Sequence, residues 1–125
     1  MTTPQERMRS IGWGAELLDA MQLDSTVPEP FKVEGRRIAQ TYPSTTALLE
    51  LLATSSREFP ATAGRSIEDA RVLFERLRAT GAGTEEIRRH VMFTLRHFPL
   101  AGWAKHANDS ARLGHLDDWL APDGP

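Results

Sequence analysis

Hydrophobic residues recur along this chain at intervals of three and four positions, which is the spacing of an amphipathic α-helix. The clearest stripe lies in the second half of the chain and consists of Ile67, Ala70, Leu73, Phe74 and Leu77. Gly81 follows this stripe, and glycine is the residue that most often takes the left-handed conformation at a helix end. The strict alternation of a half-buried strand does not occur in the sequence. The pattern therefore predicts an all-α fold.

The first half of the chain resembles the second half at a constant offset. The tripeptide Arg-Ser-Ile at residues 9–11 recurs at residues 65–67, an offset of 56, the difference between 65 and 9. Tyr42-Pro43 corresponds in the same way to Phe98-Pro99. The stripe of the first copy is Ile11, Gly14, Leu17, Leu18 and Met21. Matches at the positions that a helix buries indicate a structural repeat.

Each copy is predicted to contain three helices. Ser10 and Ser66 are the predicted N-caps of the first helices, because serine readily accepts a hydrogen bond from a free backbone amide. The second helices start after Pro28 and at Thr84. Their predicted buried positions are Phe31, Gly35, Ile38, Ala39 and Tyr42 in the first copy and Ile87, Val91, Leu95 and Phe98 in the second.

A shorter third helix follows in the first copy, capped by Ser44 or Thr45. Its predicted buried residues are Ala47, Leu48, Leu49, Leu51 and Leu52. The counterpart in the second copy lies around residues 101–108 and has Trp103 as its main hydrophobic anchor. Trp13 falls off the stripe of its helix, which suggests that it reaches across to another helix.

These elements give a compact helical bundle of two repeated three-helix units. Unit 1 covers residues 1–53, a linker covers 54–64, unit 2 covers 65–116, and a tail covers 117–125. One unit alone buries little hydrophobic surface, so the two are expected to share one core.

Composition removes several classes of function. The chain has no cysteine, which excludes disulfides, thiolate metal sites and cysteine nucleophiles. No apolar run approaches the roughly 20 residues of a membrane span, and the polar N-terminus does not resemble a secretory signal. A net charge of −2 provides no general attraction to nucleic acid. A cytoplasmic location is the resulting prediction.

Two short motifs resemble those of a family of short, uncharacterised bacterial proteins. The segment Thr3-Pro4-Gln5-Glu6-Arg7-Met8-Arg9 is similar to the Thr-Pro-x-Glu-Arg-x-Arg opening of that family. The segment Leu95-Arg96-His97-Phe98-Pro99 is similar to its Arg-His-Tyr/Phe-Pro helix end. The family usually has one unit per chain, so the resemblance implies a diverged tandem version. It implies an organisation and no particular activity.

No catalytic residue, cofactor or metal site is predicted. His90 and His97 lie two helical turns apart, roughly 10.5 Å, which is too far for both to bind one ion. The turn at residues 81–84 precedes a helix and could bind an anion, but the acidic Glu85 and Glu86 follow it, so a plain turn is favoured. The acidic pairs lie at adjacent positions, where side chains of a helix point apart.

The most unusual surface is on the second helix of the second copy. A helical wheel places Arg89, Phe93, Arg96 and His97 on one face, opposite the buried stripe. Phe93 is then an aromatic residue among cations. Two interpretations remain open: Phe93 packs against the first copy or a dimer mate under the arginine stems, or the face binds a partner, as arginine beside an aromatic residue does at contact hot spots.

The sequence predicts a non-enzymatic protein-binding module whose partner-binding residues are those four, and a homodimer is compatible with it. One alternative is a nucleic-acid-binding regulator, in which Arg88, Arg89 and Arg96 contact phosphates. Another is a metal- or ligand-dependent enzyme that uses the clustered histidines. That enzyme would need His90, His97, His106 and His115 to gather with Asp109 or Asp117.

Overall fold

The computed structural model describes residues 2–54, 60–100, 102–103 and 119–122. Over these ranges the chain forms five α-helices and no strand, which confirms the all-α prediction. The helices are α1 (Pro4–Gln22), α2 (Glu29–Ala39), α3 (Thr45–Ala53), α4 (Ala61–Thr80) and α5 (Glu85–His97). None of them is long and apolar enough to cross a membrane.

Two long helices, α1 and α4, each pack against both α2 and α5. Each half of the chain therefore contributes helices that contact the other half as well as their own. The third helix, α3, packs against α1. One hydrophobic core results, and its fully buried side chains include Ile11, Leu17, Leu18, Ile38, Ile67, Leu73 and Phe74.

The predicted stripes agree closely with the buried positions. Every member of the two first-helix stripes is buried, and so is every member of the α5 stripe. In α2, Gly35 and Ile38 are buried and Phe31 and Tyr42 are partly buried, but Ala39 is exposed, so its prediction was wrong.

Ser10 and Ser66 are not helix caps, which corrects the prediction made for both. The helix α1 begins six residues before Ser10, where Thr3 and Glu6 form a reciprocal capping box. Both serines lie buried inside helices and join the two halves instead. Ser10 Oγ donates to the carbonyl oxygens of Arg7 at 2.9 Å and of His97 at 3.0 Å. Ser66 Oγ is hydrogen-bonded to the hydroxyl of Thr41.

The linker is shorter than predicted, because residues 61–64 form the first turn of α4. The helix α3 is also less buried than predicted. Only Leu48 is fully buried, and Leu51 and Leu52 are partly buried. Ala47 and Leu49 are exposed, so their prediction was wrong. The predicted counterpart around residues 101–108 lies outside the described residues except for 102 and 103, where Trp103 is buried.

Three other predicted helix ends are confirmed, but α2 ends at Ala39, before Tyr42, which was predicted to lie in it. Gly81 ends α4 with a φ of +65°, in the left-handed region that favours glycine. The side chains of Ser44 and Thr84 cap α3 and α5. Of the tail, the structure describes residues 119–122, and Leu120 among them is fully buried in the core.

Candidate functional site

The helix α5 has one face in the core and one face in solvent. Its inner side chains are Ile87, Val91, Thr94 and Leu95, which bind it to α1 and α4. Its outer side carries Glu86, Arg89, Phe93 and Arg96, all of them exposed. We call these four residues the α5 face. Their spacing of three, four and three residues makes one continuous stripe along the helix.

Three of the four predicted partner-binding residues belong to this face. Arg89 forms an ion pair at 3.2 Å with Glu85, one turn earlier. Phe93 is 50% exposed. Arg96 is exposed one turn further on. The structure therefore brings Arg89, Phe93 and Arg96 together in solvent, as the helical wheel indicates.

His97 turns away from the other three and binds the start of α1. Its Nε2 lies 2.9 Å from Oε2 of Glu6, and its Nδ1 lies 3.2 Å from the hydroxyl of Thr2. The pKa of the Glu6 carboxyl is lowered, chiefly because it accepts a hydrogen bond from the Thr3 backbone amide and to a smaller extent because His97 is near. His97 thus joins the two motifs of the family resemblance to each other.

Trp13 on α1 extends the α5 face into a groove. The groove has a volume of about 410 Å³ and is open to solvent. Its lining residues are Trp13, Glu16, Glu86, Arg89, His90 and Phe93. The position of Trp13 off the α1 stripe was its one signal in the sequence, but periodicity within one helix does not show which helix it approaches. Phe93 is therefore neither covered by the first copy nor isolated in solvent.

The charges of this surface are separated along α5. The acidic Glu86 lies near the N-terminus of the helix, and Glu16 of α1 adds a second carboxylate to the same groove. Arg96 lies at the opposite end, beyond Phe93. The surface therefore has a carboxylate at one end, Arg89 and Phe93 in its centre, and Arg96 at the other end.

The N-terminus of α5 is occupied by a carboxylate of the chain itself. Asp24 Oδ2 accepts hydrogen bonds from the backbone amide of Thr84 at 3.2 Å and from its hydroxyl at 2.7 Å. Asp24 Oδ1 accepts from the amide and hydroxyl of Thr26, at 2.8 and 2.6 Å. These hydrogen bonds, from the Thr26 and Thr84 hydroxyls above all, hold the pKa of Asp24 far below its usual range. An internal anion thus fills the position that the phosphate-binding alternative requires.

Asp24→Asn is expected to lower the stability of the fold, because one amide oxygen cannot accept all four hydrogen bonds. A carboxyl whose pKa is depressed in the folded state stabilises that state above its unfolded pKa of about 3.9 and loses this effect as the pH falls. The difference in melting temperature between wild type and variant should therefore be constant near neutral pH and shrink below about pH 4. Asp19→Asn, at an exposed position of α1, is the matched control and should leave the melting temperature unchanged.

The other candidate chemistries gain no support from geometry. Among the described residues, no three His, Asp or Glu side chains come close enough to hold a metal ion. His106, His115, Asp109 and Asp117, which the enzyme alternative needs, lie outside the described residues. Of the arginines named for nucleic-acid binding, Arg88 donates to the carbonyl of Gly83 at 2.8 Å and Arg89 pairs with Glu85.

No protein-family model, curated protein or solved structure matches this chain. The resemblance to short bacterial proteins therefore stays a prediction.

Proposed function

We propose that this chain is a non-enzymatic protein-binding module that presents the α5 face, with Trp13 beside it, to a protein partner. The observation that carries the proposal is Phe93, a large aromatic side chain left half exposed on a helix whose opposite side is fully buried. A folded chain gains stability by burying such a side chain, so a surface that leaves it exposed beside a second aromatic residue is typical of a contact site.

The composition of the surface supports protein as the partner. Aromatic residues and arginine are the types enriched at binding hot spots, where they supply large contact area and several hydrogen-bond donors. The helix that carries them is fixed by its packing on α1 and α4. A surface that is already rigid loses little conformational freedom on binding. His97 acts in this proposal by holding α1 against the end of α5, so it positions the surface rather than contacting the partner.

We also propose that the fold consists of two repeated units with exchanged contacts. Ser10 bonds to His97, and Ser66, its equivalent at the 56-residue offset, bonds to Thr41, the equivalent of His97. The helices α2 and α5 also begin at positions related by that offset, Glu29 and Glu85. These correspondences support a duplication in which the first helix of each copy packs on the second helix of the other.

The two copies differ at the surface. In the first copy the positions equivalent to Arg89, Phe93, Arg96 and His97 are occupied by Val33, Arg37, Gln40 and Thr41. Arg37 takes the place of Phe93, and it is paired with Glu34 and with Asp69. Among the residues that the structure describes, the second helix of the second copy therefore carries an aromatic side chain at a position where the first copy has a paired arginine. The proposal assigns binding to α5 of the second copy, with Trp13 of the first copy beside it, in a cytoplasmic protein.

Replacing Phe93 and Arg96 together with alanine is expected to weaken binding to a protein partner by at least about 30-fold, since truncating even one hot-spot residue costs about 2 kcal/mol or more. Both side chains are exposed, so the fold should be unaffected, and circular dichroism checks this. The measurement is the dissociation constant for proteins that immobilised wild type retains from a lysate of the source organism. Val72→Ala is the matched control, because Val72 is 57% exposed on α4. Equal affinity of wild type and double variant for every retained protein would contradict the proposal.

A further inference from the structure

The charges of the α5 face follow an order along the helix that indicates which partner would be complementary to it. Reading from the N-terminus, the α5 face presents an acid (Glu86), a base (Arg89), an aromatic ring (Phe93) and a second base (Arg96). Arg96 lies ten positions after Glu86, a rise of roughly 15 Å along the helix. A surface with opposite charges at its two ends is complementary to a copy of itself that runs in the opposite direction.

We propose that the α5 face binds a second copy of this chain, with α5 antiparallel to the partner's α5 about a two-fold axis level with Val91. This inference rests on the proposed function, since it names the protein partner of the same surface. The axis brings Glu86 opposite the partner's Arg96, twice by symmetry. It also brings Arg89 over the ring of the partner's Phe93, which is a favourable cation–π geometry.

The parallel arrangement is unfavourable on the same residues. It would place Arg89 against the partner's Arg89 and Arg96 against the partner's Arg96, and like charges in contact destabilise an interface. The existing ion pair of Arg89 with Glu85 is no obstacle to the antiparallel dimer. Both of its side chains are largely exposed, and exposed ion pairs contribute little free energy.

The antiparallel dimer also covers the exposed apolar surface at its centre. Phe93 is 50% exposed and the adjacent Met92 is 66% exposed, and both lie within one turn of the proposed axis. Trp13 flanks the same region from α1. Because three turns of one helix form a small interface, the expected dissociation constant is on the order of 10–100 µM.

Reciprocal charge reversal tests this arrangement directly. Arg96→Glu and Glu86→Arg each place like charges in contact at both symmetric positions, so each variant alone should dimerise at least about tenfold more weakly than wild type. In an equimolar mixture of the two variants, every introduced charge faces an opposite charge, and association should return to the wild-type level. Arg65→Glu, which makes the same charge change on the exposed side of α4, is the control and should dimerise like wild type.

Sedimentation velocity on the purified full chain, across a concentration series, measures these associations, and circular dichroism confirms that each variant is folded. Dimerisation of wild type that is lost in each variant and restored in the mixture supports the proposal. Wild type that stays monomeric throughout the series overturns it, as does a dimer that neither charge reversal weakens. The dimer and the proposed function can fail separately. If wild type stays monomeric, but the Phe93 and Arg96 double variant does not retain a lysate protein that wild type retains, the dimer is wrong and the proposed function is supported.

Discussion

Replacing Phe74 with alanine should lower the free energy of unfolding by about 3–5 kcal/mol, the range for removing a fully buried phenylalanine. Phe74 is completely buried in α4, where its ring meets that of Phe98 edge to face, with centroids 5.7 Å apart and planes at 78°. The two rings join α4 to the end of α5. Truncation of Phe74 would leave a cavity between α4 and the end of α5. The neighbouring helices cannot close this cavity without losing other core contacts.

Urea denaturation followed by circular dichroism measures this loss. Val72→Ala, two positions earlier on the same helix, is the control. Val72 is 57% exposed, so its truncation should change stability by less than about 0.5 kcal/mol. Similar losses for the two variants would show that the burial assigned to α4 is wrong.

Gly14→Ala should destabilise the fold by about 1–3 kcal/mol, although alanine is the better helix former by about 1 kcal/mol. A Cβ atom at this position would lie 2.9 Å from a ring carbon of Phe98 and closer still to the Tyr42 hydroxyl. Neither ring can move freely. Tyr42 donates a 2.6 Å hydrogen bond to the carbonyl of Ile11, and Phe98 is held by Phe74. The absence of a side chain at Gly14 therefore lets Tyr42 and Phe98 meet over α1.

Gly12→Ala provides the comparison within the same helix. Its new Cβ would meet only the side-chain oxygen of Thr45, at 3.2 Å, and Thr45 is exposed. We expect this variant to be as stable as wild type or more stable, as its helix propensity predicts. Thermal melts of both variants measure the difference. A Gly14→Ala variant more stable than wild type would contradict the close approach of the two rings.

The stripes of the long helices were predictable because helical periodicity is a local property of the sequence. The start of α1 was harder to predict, since Thr3 and Ser10 are both good caps in one continuous run. The local signal for the earlier start was present, because Thr3 and Glu6 have the spacing of a capping box with Pro4 between them. Contacts with distant residues also hold this first turn in place. Glu6 contacts His97, and Arg7 donates to the carbonyl of Trp119 at 2.7 Å while its guanidinium lies over the ring of that residue. Partners about a hundred residues away are not visible in a helical pattern.

In the candidate site, too, features that depend on one helix could be predicted and features that depend on helix packing could not. The helical wheel of α5 correctly placed Arg89, Phe93 and Arg96 in solvent, because the wheel depends only on the helix itself. It could not show that His97 faces α1, nor that Trp13 lies beside Phe93, because both depend on how α1 and α5 are rotated against each other. That rotation is fixed by packing and by the hydrogen bond of Ser10 with the carbonyl of His97.

Binding of protein to the α5 face can be measured by capture from a lysate of the source organism at low and at high salt. Wild type and the Phe93→Ala, Arg96→Ala double variant are immobilised side by side, and retained protein and nucleic acid are both measured. We expect wild type to retain a stoichiometric protein, either this chain or another, at high salt, and we expect the variant not to retain it. Two results would contradict this expectation. One is retention of nucleic acid without protein, and only at low salt; the other is equal retention of protein by wild type and the double variant.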